Sequence, residues 1–555
     1  MKKLNFLFIV IFILCSVLSI SNSKAQAPNW EWAKQAGNAS TDRVESIASD
    51  ASGNVYITGF FNSSTITFGS TTLTNNGNKD IFLVKYSPSG SVLWAKSAGG
   101  NEYETGMGVT TDRSENVYIT GNFNSSTIIF DTITLTSNGE SDIFLAKYNS
   151  DGDILWAENA GGTSYETGYS VTTDASENVY VTGYFYSSTL TIGSTTLINN
   201  GEYDVLVIKC DLNGTFLWAK SAGGTDYESG ISAATDASEN VYVAGRFISS
   251  SITFGTTTLT NNGDNDIFLV KYNPDGNVLW AKSAGGNEYE TSMGVATDIS
   301  QNVYMTGWFN GDSITFESST ITNTGGSDIF LVKYDPTGSV LWAKDAGGSS
   351  SDVGYGLAVD IDKNVYVTGH FTSTTLDFDT VSVTNTTTSI YDDMFLVKYD
   401  STGNALWAKA AGGTDNDWSF GVTLDASKNV YIAGMFRSPT VTFGSAILTN
   451  NGQSDAFLVK LSDITVNINE NNFDNEIKLY PNPTNSFVNL KIQNKESEKL
   501  LVEITNINGQ LIYKKQYNKT ANSTIKIDLS SYPKGIYLIK IRTDKFVKVS
   551  KLVLQ

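Results

Sequence analysis

The chain has 555 residues, with 37 Lys and Arg against 57 Asp and Glu, and a formal net charge of −20 at pH 7. Nucleic acids and anionic membrane surfaces are poor partners for so acidic a protein, because like charges repel. Two cysteines and one histidine exclude a Cys/His zinc site, and no Gly-x-Ser-x-Gly elbow or glycine-rich phosphate loop is present.

The N-terminus has the organisation of a secretory signal peptide. Two lysines precede an apolar run over residues 4–20, and Ala25-Gln26-Ala27 follows. We predict cleavage between Ala25 and Gln26, because a cut after Ala27 would place Pro28 next to the scissile bond. An uncleaved anchor is the alternative, although the run is short for a membrane span. We predict no transmembrane segment in the mature chain.

The next feature is a long internal repeat. Each unit carries a Leu-Trp-Ala-Lys type segment, then Asn-Val-Tyr-x-x-Gly, then Asp-x-Phe-Leu-Val-Lys-Tyr. Units of this kind cannot bury their own apolar faces and must stack on their neighbours. The tryptophans that mark the units are spaced by 62 residues five times and by 65 once: Trp32, Trp94, Trp156, Trp218, Trp280, Trp342 and Trp407.

Each unit reads as four β-strands, with a small outer hairpin added by a polar stretch such as residues 63–77. The segment Ile81 to Val84 is apolar on both faces, as in a strand covered on two sides. The repeat region begins with a lone outer strand near Trp30 and ends with a lone strand near Leu458. These two ends complete one blade, so we predict an all-β, seven-bladed β-propeller closed by its N- and C-terminal strands.

The phrase Asp-x-x-x-Asn-Val-Tyr-Val-Thr-Gly, together with Phe-Leu-Val-Lys-Tyr, resembles the SBBP repeats of bacterial secreted propellers, and more weakly the NHL-type propellers. The resemblance covers residues 28–462. It implies a propeller fold but no shared activity, because fold alone does not determine function.

The tail has a different pattern of short alternating strands and turns, which predicts a small Ig-like β-sandwich. Its motifs are Tyr480-Pro-Asn-Pro, an Asn-x-Asn-Gly-Gln-Leu-Ile phrase that starts at Asn506, and Lys534-Gly-Ile-Tyr-Leu-Ile. They resemble the type A C-terminal sorting domain of the type IX secretion system of Bacteroidota. The resemblance implies that the secretion machinery binds this tail, that the protein is exported, and that it is released or attached at the outer surface. The predicted domains are 1–25 signal peptide, 28–462 propeller, 463–474 linker and 475–555 sorting domain.

One acidic position recurs without exception, ten residues after each repeat tryptophan. By analogy with NHL-type blades, it lies in the loop before the innermost strand, so the seven acids would ring one face near the axis. One interpretation is that each acid caps its own loop, and the other is a Ca²⁺-binding ring. We predict no cofactor, with Ca²⁺ as the open alternative. The acids are Asp42, Glu104, Glu166, Glu228, Glu290, Asp352 and Asp417.

A second position differs in every repeat, between the glycine that ends the second strand and a phenylalanine. It holds Phe60, Asn122, Tyr184, Arg246, Trp308, His370 and Met435. Because the acid starts one strand of a hairpin and this residue ends the other, both lie on the same face. Tyrosines precede four of the acids: Tyr103, Tyr165, Tyr227 and Tyr289. Aromatic and arginine side chains suit a sugar or peptide ligand. The predicted contacts are Tyr184, Arg246, Trp308 and His370, and unselected surface is the alternative.

These patterns predict a secreted or cell-surface binding or adhesion module whose ligand is a glycan, a matrix polymer or a protein, and not an enzyme. The alternatives are a polysaccharide-active or calcium-dependent hydrolytic enzyme and a structural surface-layer component. The tail from residue 463 has 14 basic and 9 acidic residues, and three lysines precede residue 28. The propeller therefore keeps 20 basic and 48 acidic residues, a net charge of −28.

Overall fold

The computed structural model describes residues 27–387, 390–462, 477–492, 499–506, 511–518, 524–542 and 547–555. The predicted signal peptide, its cleavage site at Ala25 and Gln26, and the predicted linker lie outside these residues. The chain divides near residue 463 into two compact units. The part of the chain that is described contains no helix long and apolar enough to cross a membrane.

The first unit is a ring of seven four-stranded antiparallel sheets, which confirms the predicted seven-bladed propeller. In each blade the chain runs from the innermost strand to a second strand, forms a small hairpin, and returns as a third and then an outer strand. Innermost strands of neighbouring blades contact one another around the ring. The apolar cores lie between blades, since each core contains residues of two neighbouring sheets.

The strand bounds repeat from blade to blade. The innermost strands are Asp42–Ser49, Glu104–Thr111, Glu166–Thr173, Glu228–Thr235, Glu290–Thr297, Asp352–Val359 and Asp417–Leu424. The second strands are Val55–Phe61, Val117–Phe123, Val179–Phe185, Val241–Phe247, Val303–Phe309, Val365–Phe371 and Val430–Phe436. The third strands are Asp80–Tyr86, Asp142–Tyr148, Asp204–Cys210, Asp266–Tyr272, Asp328–Tyr334, Asp393–Tyr399 and Asp455–Ser462. The outer strands of blades 1 to 6 are Val92–Gly99, Ile154–Ala160, Phe216–Ala222, Val278–Ala284, Val340–Ala346 and Ala405–Ala411, and blade 7 takes Asn29–Ala36.

The predicted outer hairpins are present in all seven blades. Their strands are Thr65–Phe68 and Thr71–Thr74, Thr127–Phe130 and Ile133–Thr136, Thr189–Ile192 and Thr195–Ile198, Ser251–Phe254 and Thr257–Thr260, Ser313–Phe316 and Ser319–Thr322, Thr375–Phe378 and Val381–Thr384, and Thr440–Phe443 and Ala446–Thr449. The hairpin of blade 2 also pairs with the outer strand of blade 1, through Phe130 and Ala98. Hairpins therefore connect one blade to the next.

The third strands are buried along their whole length, as the two-sided apolar pattern predicts. Every residue of Asp80–Tyr86 is buried, including Lys85. The Lys85 ammonium lies 3.8 Å from the Asp50 carboxylate and donates a hydrogen bond to the Ser150 carbonyl of the next blade. The Trp94 indole donates to the same carbonyl. The most regular residues of the repeat thus hold blades together, so their recurrence is explained by the fold.

The ring is closed by strands from the two ends of the propeller sequence. Asn29–Ala36 pairs antiparallel with Asp455–Ser462 and supplies the outer strand of blade 7. The turn of blade 1 also contacts this junction, because Gly90 adopts a positive φ of 80° and packs on the Trp32 ring. A Cβ at Gly90 would lie 3.0 Å from that ring, so only glycine satisfies both conditions.

The second unit consists of two antiparallel sheets. One contains Ile477–Tyr480, Phe487–Ile492 and Thr524–Asp528, and the other contains Leu511–Asn518, Lys499–Asn506, Gly535–Arg542 and Val547–Leu554. Side chains of both sheets, among them Val488, Ile504 and Ile539, share one buried core. This is the small β-sandwich that the tail sequence predicts.

Candidate functional site

The propeller has two different faces. We call the face where innermost strands begin and second strands end the variable face, and the opposite one, with turns such as residues 50–54, the turn face. Cross-strand partners place Asp42 beside Phe61 and Arg43 beside Phe60. The recurring acids and the variable position therefore lie on the same face, as predicted.

The seven acids begin the innermost strands, but their side chains do not form an exposed ring. All seven are fully buried. Asp42 accepts hydrogen bonds from the Asn38 amide at 2.8 Å and from the Ser63 hydroxyl at 2.7 Å. In blade 2, Glu104 accepts from the Gly100 amide and from the backbone and hydroxyl of Ser125. In blades 1 to 4 the carboxylate thus joins two loops, and this capping role accounts for the recurrence of the acid.

No group of three or more His, Cys, Asp or Glu side chains suited to a metal ion occurs among the described residues. The hydrogen bonds of Asp42 and Glu104 go to neighbouring loops, as the capping interpretation of these acids predicts.

Glu290 departs from this pattern because Gly311 occupies the position of the capping serine. The Glu290 Oε1 atom is buried without a hydrogen-bond partner, and burial raises the pKa of Glu290 to about 8. Burial also raises the pKa of Asp352 and of Asp417 to about 7, although both keep their serine partners. These acids are inaccessible to solvent, and their raised pKa values make the stability of the propeller depend on pH.

A cavity of about 640 Å³ lies in the middle of the ring. Each innermost strand has a β-bulge three residues after its acid, for example between Val44 and Ser46. The bulge places one side chain per blade against the cavity, and we call these seven residues the bulge ring: Glu45, Met107, Tyr169, Ile231, Met293, Tyr355 and Phe420. Six are apolar or aromatic, and one is an acid.

The bulge ring is a set of candidate residues that the sequence analysis missed. Its signal is present in the sequence as the column three residues after each acid, where seven different blades place five residue types. Strict alternation of side chains along a strand does not indicate which residue a bulge turns toward the axis, so this column gives no signal before the bulge is known.

Glu45 is held by charges of its own blade. The Arg43 Nε atom lies 2.9 Å from the Glu45 Oε1 atom, and the Arg43 guanidinium lies 3.9 Å from the centre of the Phe420 ring. Burial raises the pKa of Glu45, whereas Arg43 and Lys79 act in the opposite direction. The Lys79 ammonium lies 4.1 Å from the centre of the Phe60 ring and donates to the Thr105 hydroxyl.

Of the four predicted ligand contacts, Arg246 is exposed and lines the cavity. Tyr184, Trp308 and His370 are half-buried and are not among the residues that line the cavity, so the structure does not bring all four together there. Phe60, from the same variable position, does line the cavity, whereas Met435 is buried.

Tyr184 belongs to a cluster of tyrosines on blades 3 and 4. Its ring stacks on Tyr203 with centroids 4.4 Å apart, and it also contacts Tyr169 of the bulge ring. Tyr203 in turn meets Tyr186 and Tyr227 edge to face. Tyr227 is exposed, as are its counterparts Tyr103, Tyr165 and Tyr289. Aromatic surface therefore extends from the cavity wall to the solvent.

His370 belongs to a second aromatic cluster on blades 6 and 7. Its ring stacks on Trp418 at 5.0 Å and contacts Tyr355 of the bulge ring. The Asp392 carboxylate lies 4.0 Å from His370 Nε2 and accepts a hydrogen bond from the Trp418 indole. Burial lowers the pKa of His370 to about 4, since it disfavours the cation more than Asp392 stabilises it. His370 is therefore neutral at pH 7, and packing is its evident role.

Comparisons with known proteins agree with both units. Residues 478–555 match the family described as secretion system C-terminal sorting domain. Residues 31–59 and 341–370 match the SBBP β-propeller repeat, and residues 251–278 match a β-propeller domain of unknown function. The chain thus carries SBBP propeller repeats and a type IX sorting domain. It is therefore an exported protein, secreted or held at the cell surface.

Two curated relatives are similar to this chain over only part of their own length. An uncharacterized WD repeat-containing protein of Acanthamoeba polyphaga mimivirus is 25% identical over 78% of this chain and 38% of its own length. The regulatory protein FlaEY of Caulobacter vibrioides is 30% identical over 24% of this chain and 14% of its own. The chain thus spans well under half the length of these relatives.

Among solved structures, a protein of unknown function from Bacteroides thetaiotaomicron is 13% identical, with 75% of this chain and 97% of that chain covered and a TM-score of 0.28. A mutant of Synechocystis apocarotenoid oxygenase is 8% identical, with 79% and 95% covered and a TM-score of 0.34. At these scores neither supports an argument about function.

Proposed function

We propose that this exported propeller is a binding module of the cell exterior, and that its variable face holds a glycan. The observation that carries the proposal is where the seven blades differ. Large differences accumulate in the variable position and the bulge ring, which both belong to one face of the ring and its cavity. Positions whose residue type is not fixed by packing within the repeat are the ones available to contact a ligand.

The chemistry of this face suits sugars. Tyrosine and tryptophan rings offer flat apolar surfaces with a polar edge. Four exposed tyrosines precede the innermost strands of blades 2 to 5 on the variable face, and serine and threonine hydroxyls line the cavity. The contacts that we propose are Tyr184, Arg246, Trp308 and the exposed Tyr227, while His370 supports Trp418 from behind.

The rival function is an enzyme, and it would need an accessible acid or base. Glu45 is the one acid among the residues that line the cavity, and Arg43 holds it in an ion pair. The seven recurring acids are buried beneath their loops. This arrangement favours binding over hydrolysis.

A glycan array with the purified protein tests the proposal. The variant Y103A/Y165A/Y227A/Y289A removes the exposed rings, and a control variant, I299A/I361A, removes exposed apolar side chains near the turn face. We expect the tyrosine variant to lose binding and the control to retain it, with both variants as folded as the wild type. Binding to no glycan by the wild type, or equal binding by both variants, would refute the proposal. Cleavage of a bound glycan would support the enzyme instead.

A further inference from the structure

Basic residues have an uneven distribution in the propeller. Thirteen of its 20 belong to two repeated lysine positions, which follow two apolar residues in the third strand or Trp-Ala in the outer strand. The repeated lysines are Lys34, Lys85, Lys96, Lys147, Lys209, Lys220, Lys271, Lys282, Lys333, Lys344, Lys398, Lys409 and Lys460. Seven basic residues remain outside the repeat, and three of them, Arg43, Lys79 and Arg246, line the central cavity.

The balance of charge at the cavity is opposite to that of the propeller around it. Glu45 is its one acidic lining residue and is paired with Arg43. Lys79 and Arg246 make no salt bridge with any described residue. A locally positive cavity inside a propeller of net charge −28 attracts an anion only at that place.

The other residues that line the cavity include both aromatic and hydroxyl-bearing side chains. The bulge ring supplies the rings of Tyr169, Tyr355 and Phe420, and hydroxyl groups lie between them. Ser46 and Ser232, for example, accept hydrogen bonds from backbone amides of neighbouring blades. A hydroxyl group that accepts such a bond still carries a proton that it can donate to a ligand. A volume of about 640 Å³ is within the range of small-molecule sites, roughly 300 to 1,000 Å³. Aromatic faces, hydroxyls and cations together fit a sugar that bears an acidic group.

We infer that the central cavity is the subsite for an acidic sugar, carboxylated or sulfated, whose anionic groups are bound by Lys79 and the positioned guanidinium of Arg43 in blade 1 and by Arg246 in blade 4. This inference rests on the proposed function and specifies its ligand. The neutral part of the glycan would extend over the exposed tyrosines of the variable face. Arginine suits this role because its planar fork can bind a carboxylate or sulfate through two hydrogen bonds.

The test uses matched ligands and matched variants of the full chain. The ligands are uronate-containing and sulfated oligosaccharides, each paired with its carboxyl-reduced or desulfated form, and the carboxylated and sulfated pairs distinguish the two kinds of acid. The variants are Arg246→Gln and Lys79→Gln, with Arg113→Gln as the control. Arg113 is exposed and lies on the turn face. Affinities are measured by calorimetry at low and high salt, after thermal unfolding has shown that each variant is folded.

We expect the protein to prefer at least one acidic member of these pairs by about tenfold or more, which is the contribution of one charged hydrogen bond. Arg246→Gln and Lys79→Gln should each remove most of that preference, because they weaken the acidic member of a pair much more than its neutral partner, and Arg113→Gln should change nothing. Salt should weaken only the acidic ligands. Equal affinity within every pair, or equal loss in Arg113→Gln, would overturn the inference and leave glycan binding intact. Failure of all ligands, acidic and neutral, would refute both the inference and the proposed function.

Discussion

Trp32 and Lys460 face each other across the two strands that close the ring, and both donate a hydrogen bond to the carbonyl of Pro88 in blade 1. The indole nitrogen lies 3.3 Å from that oxygen and the ammonium lies 3.1 Å from it. One carbonyl thus connects the first strand, the last strand and the first blade of the propeller.

Removal of the Asn29–Ala36 strand should therefore destabilise the whole ring. It would leave Asp455–Ser462 as an unpaired edge and expose the core that includes Trp407 and Leu461. We expect the melting temperature of a protein that starts at Gly37 to fall by more than about 5 °C relative to one that starts at Ala27, since several kcal/mol of burial are lost. Calorimetry measures the difference. An unchanged transition would show that blade 7 does not need this strand.

Gly311→Ser should stabilise the propeller. In blade 2 the equivalent residue is Ser125. Its hydroxyl donates a hydrogen bond to the Glu104 carboxylate and accepts one from the backbone amide of Glu102, two residues before that acid. A Cβ at Gly311 would meet no atom closer than 3.5 Å, so the serine fits without strain. We expect the free energy of unfolding to rise by about 1–2 kcal/mol, because the buried Glu290 oxygen gains its partner.

The matched control for this variant is Gly311→Ala, which adds the Cβ without the hydroxyl. It separates the hydrogen bonds of the serine from the reduced backbone freedom of any non-glycine residue. Equal effects of Ser and Ala would contradict the proposed capping role.

The propeller should be more stable at about pH 5 than at about pH 8.5. Burial raises the pKa of Glu290 to about 8, of Asp352 and Asp417 to about 7, and of the third-strand acids Asp80, Asp204, Asp328 and Asp455 to about 6. Unfolded carboxyls titrate near 4. The native state therefore binds more protons between about pH 4 and 8, and the stability contributed below this window is lost as the pH rises through it.

One group acts in the opposite direction. The lowered pKa of His370 means that the unfolded state binds its proton first, so this residue adds stability as the pH rises from about 4 to 6.5. One histidine does not offset seven acids. Thermal unfolding across this range tests the sum, and Gly311→Ser should flatten the curve above about pH 6. A melting temperature that rises steadily from pH 5 to 8.5 would show that these acids are ionised in the folded state.

Cys210 should be unreactive in the folded protein. It is fully buried in the core between blades, and burial raises the pKa of its thiol, so little thiolate is available to attack a reagent. Labelling of a protein without residues 1–25 by a thiol reagent should be slow in buffer and fast in denaturant, with Cys210→Ala as the unlabelled control. Rapid labelling under native conditions would reveal local opening of blade 3.

The fold could be predicted from the sequence because each blade repeats the same pattern of apolar and turn-forming residues. The third strand is apolar on both faces, the glycine of turns such as Gly90 tolerates a left-handed backbone, and the ends of the repeat region complement each other. Seven independent copies of a weak local signal amount to a strong one.

The site could be predicted only in part. The prediction that the acids and the variable position lie on the same face is confirmed, because hairpin topology places Asp42 beside Phe61. The burial of the acids could not be foreseen, since it depends on Ser63, which returns to Asp42 from beyond the second strand. The bulge ring was missed because an extra residue shifts the alternation and turns Glu45 toward the axis.

Hydrogen–deuterium exchange of the protein, with and without a glycan selected on the array, shows which face of the propeller binds the ligand. We expect slower exchange around the starts of the innermost strands, at residues 43–47, 229–233 and 355–359, and in the loops that carry Tyr165 and Tyr227. Exchange in the turns of the opposite face, such as residues 50–54, should be unchanged. Protection confined to those turns or to the outer strands would contradict the assignment of the variable face as the ligand site.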